Sequence, residues 1–420
     1  MKIFRKVPLL LCLLIIGIAS CKKSGIAPPG FKGKDLGLTS LDLQKVTADN
    51  AFAIKLFKNL DSANAASATT AGSNLFISPL SVSFALGMTS NGAAGQTLTA
   101  FQNTLNFAGL TQTQVNNYYN TLVTNLPQLD PNTTVDIANS IWYRQGFSVQ
   151  PLFMQTNTNY FHAQVQALDF SSPSAVSTIN NWVSSNTKGF IPSIINQIPG
   201  DAEMYLVNAI YFKSSWKESF DPANTKPQAF YLADNSQVQT SFMTGTIDFN
   251  YYTDAGVNIY ELPYSNNKYS MVIVLPVGGA TVAQAATNLT PAQWQTWMTG
   301  LKPTNSVLTL PKFKFSFGAN LNSALTDLGL GVAFSDDANF SLINPASSLK
   351  ISQVLHKAFV ETDESGTTAA AATSVGIISS IAFQPFTTTI NHPFIFAIRE
   401  VSSGLVLFVG TVNNPTLAGN

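Results

Sequence analysis

The chain has 420 residues, of which 45% are hydrophobic and only 10% are charged, so it can bury a large core beneath a mostly uncharged polar surface. Lysine and arginine together number 22, aspartate and glutamate also number 22, and the formal net charge is zero. Because there is no positive excess to neutralise phosphates, we expect no nucleic-acid partner.

The first 20 residues are predicted to be a signal peptide. A positively charged start precedes the apolar run of residues 9–18, which is too short to span a bilayer. The run ends at Ile18-Ala19-Ser20-Cys21, which resembles a bacterial lipobox and implies cleavage before Cys21 and lipidation of its thiol. The alternative is an ordinary signal peptide that is followed by an unrelated cysteine.

Residues 21–40 are predicted to be the lipidated cysteine and a flexible tether with breaker residues. The lipid would hold the folded body near a membrane, so we expect an exported lipoprotein of the outer membrane, facing the periplasm or the cell surface. The only two cysteines are Cys12 and Cys21. The body therefore has no thiol for a disulfide, for cysteine-protease chemistry or for zinc.

The folded domain is expected over residues 41–420 and begins with helices. Apolar residues at helical spacing predict an amphipathic helix over Leu41–Leu60, followed by a loop over Ser62–Ser73. Ser78 suits the N-cap, and Pro79 the first turn, of a second helix that continues until Gly92.

Farther along, short apolar or β-branched runs bounded by glycine, proline or asparagine predict strands. These runs are Val135–Tyr143, Leu206–Phe212, Met271–Leu275, Val307–Leu310 and Leu405–Val412. Helical patterns lie between them at Val176–Ser185, Thr281–Met298 and Asn320–Leu328. Because helices crowd the first half and strands the second, the pattern favours one α+β domain over a βαβ repeat.

Residues 366–386 form a long stretch of small and apolar residues that carries no charge. Loops of this length usually have a function or are disordered, and a disordered segment would be polar or charged. Threonine, β-branched and glycine residues disfavour a helix here. We therefore predict a strand that is not always part of a sheet, with side chains small enough to slip between two other strands.

Many short motifs along the chain occur in an order that is typical of one protein family. The early motifs are Asn74–Val82 (NLFISPLSV), Ala85–Met88 (ALGM), Gly92–Thr97 (GAAGQT) and Ala138–Trp142 (ANSIW). Then come Ile179–Val183 (INNWV), Thr187–Gly189 (TKG), Leu206–Lys213 (LVNAIYFK) with Trp216, Glu261–Tyr264 (ELPY), Leu310–Phe313 (LPKF), His356–Glu361 (HKAFVE) and the end from His392 to Pro415. Each motif is weak alone, but this many in order make the chain similar to the serpin family over essentially all of residues 45–415.

The resemblance implies a serpin fold with three β-sheets, about nine helices and an exposed reactive-centre loop at about residues 366–386. It also implies a monomeric inhibitor, without cofactor or metal, that acts as a suicide substrate. Serine endopeptidases are the expected partners, with papain-like cysteine endopeptidases as a second class. The protease would cut the loop and form an acyl-enzyme, and the cut loop would then enter the large sheet as a strand and trap the covalent complex.

The hinge of the implied loop looks like that of inhibitory members. Its predicted residues are Glu364, Gly366, Thr367, Ala369, Ala370, Ala371, Ala372 and Thr373. Alternate side chains from Thr367 to Thr373 would face the core on insertion, and all of them are small and uncharged. Thr368 departs from the family, which usually has glutamate there, and Thr411 stands where arginine is more usual. The alternative is a flexible alanine and threonine linker.

The family spacing, fourteen residues on from Gly366, implies a scissile bond at Ser380-Ile381. Because loop lengths vary, Ser379 and Ile381 are alternatives for the residue that the protease pocket recognises. The flanking residues are apolar, and no lysine or arginine lies between Lys357 and Arg399. We therefore expect a protease with a small or apolar pocket, elastase-like or subtilisin-like, and not a trypsin-like one.

Two further sets of residues fall on family positions that control sheet opening. Ser78, Ser81, Asn208 and His356 fall where serpins form a hydrogen-bonded shutter beneath the central strands. Trp216, Lys312 and Glu364 fall at the breach, where the loop first enters the sheet. His356 could equally be a satisfied core residue, and a surface Lys–Glu pair is worth little.

Other functions have weaker support in the sequence, and we expect no enzyme. The chain has three histidines, no Gly-x-Ser-x-Gly elbow and no His-Glu-x-x-His motif. Ser-x-x-Lys occurs at Ser214–Lys217 and at Ser347–Lys350, as chance allows in a serine-rich chain. The stronger alternative is a non-inhibitory serpin that serves as a surface binding protein. A glycan-binding lipoprotein is a third alternative, but the 5 tryptophans form no stacking platform.

Overall fold

The computed structural model describes residues 35–67, 69, 72–367 and 387–419 of the chain. These residues form nine α-helices and fifteen strands. The helices are α1 Ser40–Ala66, α2 Pro79–Ser90, α3 Gly95–Thr104, α4 Gln112–Asn125, α5 Pro151–Phe161, α6 Ala175–Asn186, α7 Val282–Asn288, α8 Pro291–Gly300 and α9 Asn322–Leu325. The strands are β1 Leu75–Ile77, β2 Thr133–Arg144, β3 Gln164–Leu168, β4 Met204–Ser215, β5 Lys226–Tyr231, β6 Gln237–Asp254, β7 Val257–Pro263, β8 Tyr269–Pro276, β9 Lys302–Pro311, β10 Phe313–Asn320, β11 Leu355–Asp363, β12 Gly366–Thr367, β13 Thr387–Thr389, β14 Phe394–Glu400 and β15 Val406–Val412.

The strands form two hydrogen-bonded sheets. The six-stranded sheet has the order β10-β11-β12-β4-β2-β3, and the nine-stranded sheet has the order β1-β15-β14-β8-β7-β6-β9-β13 with β5 paired to β6. Three sheets were expected, but the long strand β6 joins two groups of strands. Its residues 237–242 pair with β5, while its residues 250–254 pair with β7. The predicted α+β class is confirmed.

The two predicted helix starts near the beginning of the fold follow capping chemistry. The Thr39 hydroxyl accepts from the Asp42 amide at 3.2 Å, and the Asp42 carboxylate accepts from the Thr39 amide at 2.9 Å. The Ser78 hydroxyl accepts from the Ser81 amide at 3.1 Å, and Pro79 is the first residue of α2, as predicted.

Three predicted boundaries were wrong. The helix α1 continues to Ala66, into the first part of the predicted loop, because no glycine or proline interrupts residues 61–66. The helical stretch Thr281–Met298 is two helices, since Pro291 begins α8 with Thr290 as its N-cap. The stretch Asn320–Leu328 is α-helical only over α9, and the chain then winds more widely towards Gly329, whose φ is 105°.

The core lies between the two sheets and the helices α1, α2 and α4. Phe76 of β1 stacks on Phe396 of β14 and on Phe408 of β15, with ring centroids 5.4 and 5.2 Å apart. A smaller cluster holds α6 against β2 and β4 through Trp142, Ile179 and Val183. Among the helices of the described ranges, none has both the length and the apolar composition that crossing a bilayer requires.

Candidate functional site

The short strand β12 lies between β11 and β4 of the six-stranded sheet. Gly366 pairs with Asp363 of β11 on one side and with Ser215 of β4 on the other. Thr367 pairs in the same way with Thr362 and Ser214. β12 is antiparallel to both neighbours. The first two residues of the long uncharged segment therefore already form a strand inside the sheet.

At position 366, the first residue of β12, only glycine fits the backbone conformation and the space available. Its φ is +151°, and a Cβ atom at this position would lie 2.1 Å from the Ser214 carbonyl oxygen and 2.6 Å from the Ser215 Cα. Real Cβ atoms do not approach backbone atoms so closely, and L side chains rarely adopt this φ. The glycine therefore permits the close contact between β12 and β4.

Thr367 faces the core, as the alternation predicted for an inserted strand requires. Its side chain is 2% exposed, and its hydroxyl lies 2.5 Å from the Tyr264 hydroxyl. The Tyr264 ring stacks on Trp216, with ring centroids 4.7 Å apart and planes 5° apart. Burial raises the pKa of Tyr264 well above its usual value, although the hydrogen bond with Thr367 acts in the opposite direction. Tyr264 is therefore neutral and serves as a hydrogen-bonding partner.

A tight turn of residues 363–366 reverses the chain after β11, so that β12 pairs with β11 in antiparallel fashion. One Asp363 carboxylate oxygen accepts from the Ser365 amide at 2.9 Å and from the Gly366 amide at 3.3 Å. The Trp216 indole donates to the Asp363 carbonyl at 2.9 Å, and the Trp216 amide donates to the Ser365 carbonyl at 2.9 Å. Both flanks of the turn are thus fixed before the chain enters β12.

The three predicted breach residues lie together around this turn. The Lys312 ammonium contacts the Glu364 carboxylate at 2.7 Å, and the Thr225 hydroxyl donates to the other Glu364 oxygen at 2.7 Å. Partial burial alone would raise the pKa of Glu364, but the hydrogen bonds from Lys312 and Thr225 outweigh it and hold the pKa below its usual value. The Glu364 backbone carbonyl also accepts from the Phe220 amide at 2.9 Å. Glu364 is therefore charged and fixed at both its side chain and its backbone.

Three of the four predicted shutter residues are linked through Ser78: Ser78 is the N-cap of α2, Ser81 lies in its first turn, and His356 lies on β11. The Ser78 amide donates to the His356 Nε2 at 3.1 Å, and the Ser78 hydroxyl donates to the Leu407 carbonyl of β15 at 2.8 Å. Ser81 contributes its amide to the Ser78 cap. His356 is 6% exposed, and burial lowers the pKa of its imidazole to about 4. The neutral ring accepts the Ser78 amide because a protonated Nε2 could not.

Asn208, the fourth shutter residue, lies on β4. Its side chain donates to Asn139 of β2 at 2.7 Å, and Asn139 donates to the Phe161 carbonyl at 2.7 Å. Ser81, Asn208 and His356 all line a cavity of about 530 Å³. The structure thus links Ser81 and His356 through Ser78 and places Asn208 in the lining of the same cavity as Ser81 and His356.

Several predicted site residues lie outside the described residues. They are Cys21, the hinge residues Ala369, Ala370, Ala371, Ala372 and Thr373, and the reactive residues Ser379, Ser380 and Ile381. Their roles stay predictions.

Two residues of the site were missed by the sequence interpretation. Tyr264 stood inside a quoted motif, but nothing local indicates that its hydroxyl meets Thr367. Asp363 had a local signal, because aspartate followed three residues later by glycine is typical of a tight turn.

A family model described as "Serpin (serine protease inhibitor)" matches residues 47–415. The chain is 36% identical to Iripin-3 of Ixodes ricinus over 353 residues. This alignment covers 82% of this chain and 89% of Iripin-3. It is similar to the native state of tengpin, a thermophilic serpin, with a TM-score of 0.79, 32% identity and coverage of 91% and 96%. It is also similar to human thyroxine-binding globulin complexed with thyroxine, with a TM-score of 0.80, 27% identity and coverage of 90% and 100%.

Proposed function

Because this chain belongs to the serpin family, whose members are mostly inhibitors rather than catalysts, we propose that it is a suicide-substrate inhibitor of endopeptidases. A target serine protease would attack the segment 366–386 as a substrate and form an acyl-enzyme. The cut segment would then enter the six-stranded sheet between β11 and β4 and trap the protease as a covalent complex. Papain-like cysteine endopeptidases are a second target class for the same trap.

One observation carries this proposal, which is the position of β12. Gly366 and Thr367 already pair with both β11 and β4, so further residues of the segment can extend an existing strand. About a dozen added strand residues, at about 1 kcal/mol net for each ladder hydrogen bond, would supply on the order of 10 kcal/mol. That free energy is large enough to distort an active site that depends on accurate geometry.

The composition of the segment supports the same mechanism. As far as Thr373, the alternate side chains that would follow Thr367 into the core are alanine and threonine, and no charge or proline stands between Thr367 and Pro385. A charge or a proline in a central strand would oppose insertion. The apolar residues around Ser380-Ile381 support an elastase-like or subtilisin-like target.

The proposal is tested by mixing the full-length protein with an elastase-like and with a subtilisin-like protease. We expect a band at the summed mass that survives denaturing electrophoresis, and a new amino terminus at Ile381. The variant Thr367→Arg is the control, because a buried cation in β12 would turn the inhibitor into a substrate. Cleavage without any covalent band, across serine and cysteine proteases, would contradict the proposal.

A second candidate is a non-inhibitory serpin that acts as a surface binding protein. It is favoured by the structural similarity to thyroxine-binding globulin, which binds a small molecule on the same fold. Clean cleavage of residues 366–386 without trapping would favour this candidate.

We also propose that the protein is an exported, monomeric lipoprotein of the outer membrane, held there through lipid on Cys21. The support is the order of the apolar run, the small residues and the cysteine in residues 9–21. Expression in a Gram-negative host with a labelled fatty acid tests this proposal. We expect label in the membrane fraction for the wild type and none for Cys21→Ser. Equal labelling of the two would contradict it.

A further inference from the structure

The residues at the carboxyl end of the chain lie against the outer edge of the six-stranded sheet. Strand β10 is the first strand of this sheet, with β11 on its inner side. On the other side, the Ser316 amide donates to the Ala418 carbonyl at 3.1 Å, and Ser316 and Gly419 form a parallel bridge. We call residues 416–419 the tail. The tail follows the segment 47–415 that the serpin family model matches.

Two asparagines direct the tail towards β10. The Asn74 side-chain oxygen Oδ1 accepts from the Asn413 and Asn414 backbone amides at 2.8 and 2.9 Å, and Nδ2 of the same side chain donates to the Asn414 backbone carbonyl at 2.8 Å. The Asn414 side chain then accepts from the Thr416 amide at 3.0 Å and from the Thr416 hydroxyl at 2.8 Å. The chain therefore leaves β15 in a direction that side chains have fixed.

The contact between the tail and β10 requires glycine at its end. Gly419 has a φ of +77°, and a Cβ atom there would lie 1.8 Å from the Ser316 carbonyl oxygen. Any other residue would have to move away from β10. The position is thus built for close backbone pairing.

Apart from the tail, little in the outer edge of β10 would prevent it from pairing with a strand of another chain. Along a strand, the backbone N–H and C=O groups of successive residues point alternately to one side and to the other. Those of Lys314 and Gly318 therefore point away from β11, as those of Ser316 do. Natural edges are usually guarded by charges, proline or bulges. Here Ser316 and Gly318 are small and uncharged, and the Lys314 ammonium contacts Glu361 of β11 at 3.1 Å. The ladder between β10 and β11 continues without a bulge from Phe313 to Asn320.

We propose that the outer edge of β10 is a surface for strand addition, that the tail occupies it, and that a second copy of this chain pairs there when the tail is displaced. Two copies of β10 can pair in antiparallel fashion about a two-fold axis at Ser316. This arrangement sets Lys314 of each copy opposite Gly318 of the other, so the two cations do not face each other. The inference goes beyond the proposed inhibition and does not depend on it.

The test compares Gly419→Ala, deletion of residues 417–420 and the wild type, all in the full chain with Cys21→Ser so that lipid cannot drive association. Gly200→Ala is the matched control, because a Cβ atom added to Gly200 would meet no other atom within 4 Å. Hydrogen–deuterium exchange is resolved to the Ser316 amide, and light scattering gives the oligomeric state over a range of protein concentrations.

We expect the Ser316 amide to exchange about tenfold faster in Gly419→Ala and at least as fast in the deletion variant. A dimer should then appear with rising concentration in both variants but not in the wild type or in Gly200→Ala. An unprotected Ser316 amide in the wild type would overturn the proposal. So would a deletion variant that stays monomeric at every concentration.

Discussion

The hydroxyl groups of Tyr264 and Thr367 share a hydrogen bond of 2.5 Å, and neither side chain is more than 2% exposed. Tyr264 directly follows β7 of the nine-stranded sheet, while Thr367 belongs to β12 of the six-stranded sheet. The bond therefore ties the first inserted residues to the opposite sheet. If the following residues enter the sheet as proposed, this buried phenol would help to control their entry.

The substitution Tyr264→Phe should weaken this tie. The Thr367 hydroxyl would stay buried without its partner, so the free energy of unfolding should fall by about 1–2 kcal/mol. Loop entry should slow, and more inhibitor should be cleaved for each protease molecule trapped. Urea unfolding and the stoichiometry of inhibition measure the two effects. Tyr160→Phe on α5 is the control, and a stoichiometry unchanged in both variants would refute the predicted role.

Asp363 should be needed as an acceptor rather than as a charge. In Asp363→Ala the Ser365 and Gly366 amides lose their shared partner, so the turn should loosen and the stoichiometry of inhibition should rise. Asp363→Asn keeps a carbonyl oxygen at the same place and should restore most of the wild-type value. Equal behaviour of the two variants would show that the turn does not depend on this acceptor.

His356 should make the protein less stable in acid. Its pKa is about 4 in the folded protein because of burial, and near 6.5 in the unfolded chain. The unfolded state therefore binds the proton first, so stability is full above about pH 6.5 and falls as the pH drops towards 4. The loss should reach at most about 3 kcal/mol. Urea unfolding at pH 7.5 and 4.5 should show that the wild type loses more stability on acidification than His356→Gln does, since Asp61 contributes equally to both. An equal change in the two proteins would assign the effect to another group.

Asp61 should make the protein more stable in acid, over a pH range that overlaps with that of His356. Burial raises its pKa to about 6, so the native state holds a proton that the unfolded chain has already lost. Stability therefore decreases as the pH rises from about 4 to about 6, by at most about 3 kcal/mol. Asp61→Asn should raise the free energy of unfolding at pH 7.5 and leave it nearly unchanged at pH 4. The exposed Asp337→Asn is the control, and an equal gain from both variants would count against burial as the cause.

Local chemistry in the sequence predicted those parts of the fold that short-range contacts determine. Ser78 and Pro79 mark the start of α2 because capping and the fixed proline φ act within a few residues. The runs around Leu206 and Met271 mark central strands because both of their faces are buried. The strand β6 was not predicted, since its 18 residues are largely polar and its pairing partners lie in β5, β7 and β9.

In the candidate site, too, contacts between residues that are far apart in the sequence could not be predicted from local patterns. Lys312 and Glu364 are 52 positions apart, and only the family resemblance suggested that they meet. Thr225, which completes the contacts of the Glu364 carboxylate, carries no signal in the sequence. Contacts of this kind depend on how the two sheets pack, which periodicity and capping do not encode.

The two residues of β12 also bear on how fast the proposed loop entry would be. Starting a new strand is slow because distant backbone segments must meet before any hydrogen bond forms. In this protein the Asp363 turn has already brought Gly366 between its two neighbours. In the proposed mechanism, each later residue would extend this existing strand at little entropic cost. The time needed to capture a protease should therefore depend on how fast β4 and β11 separate, and not on a search by the severed segment.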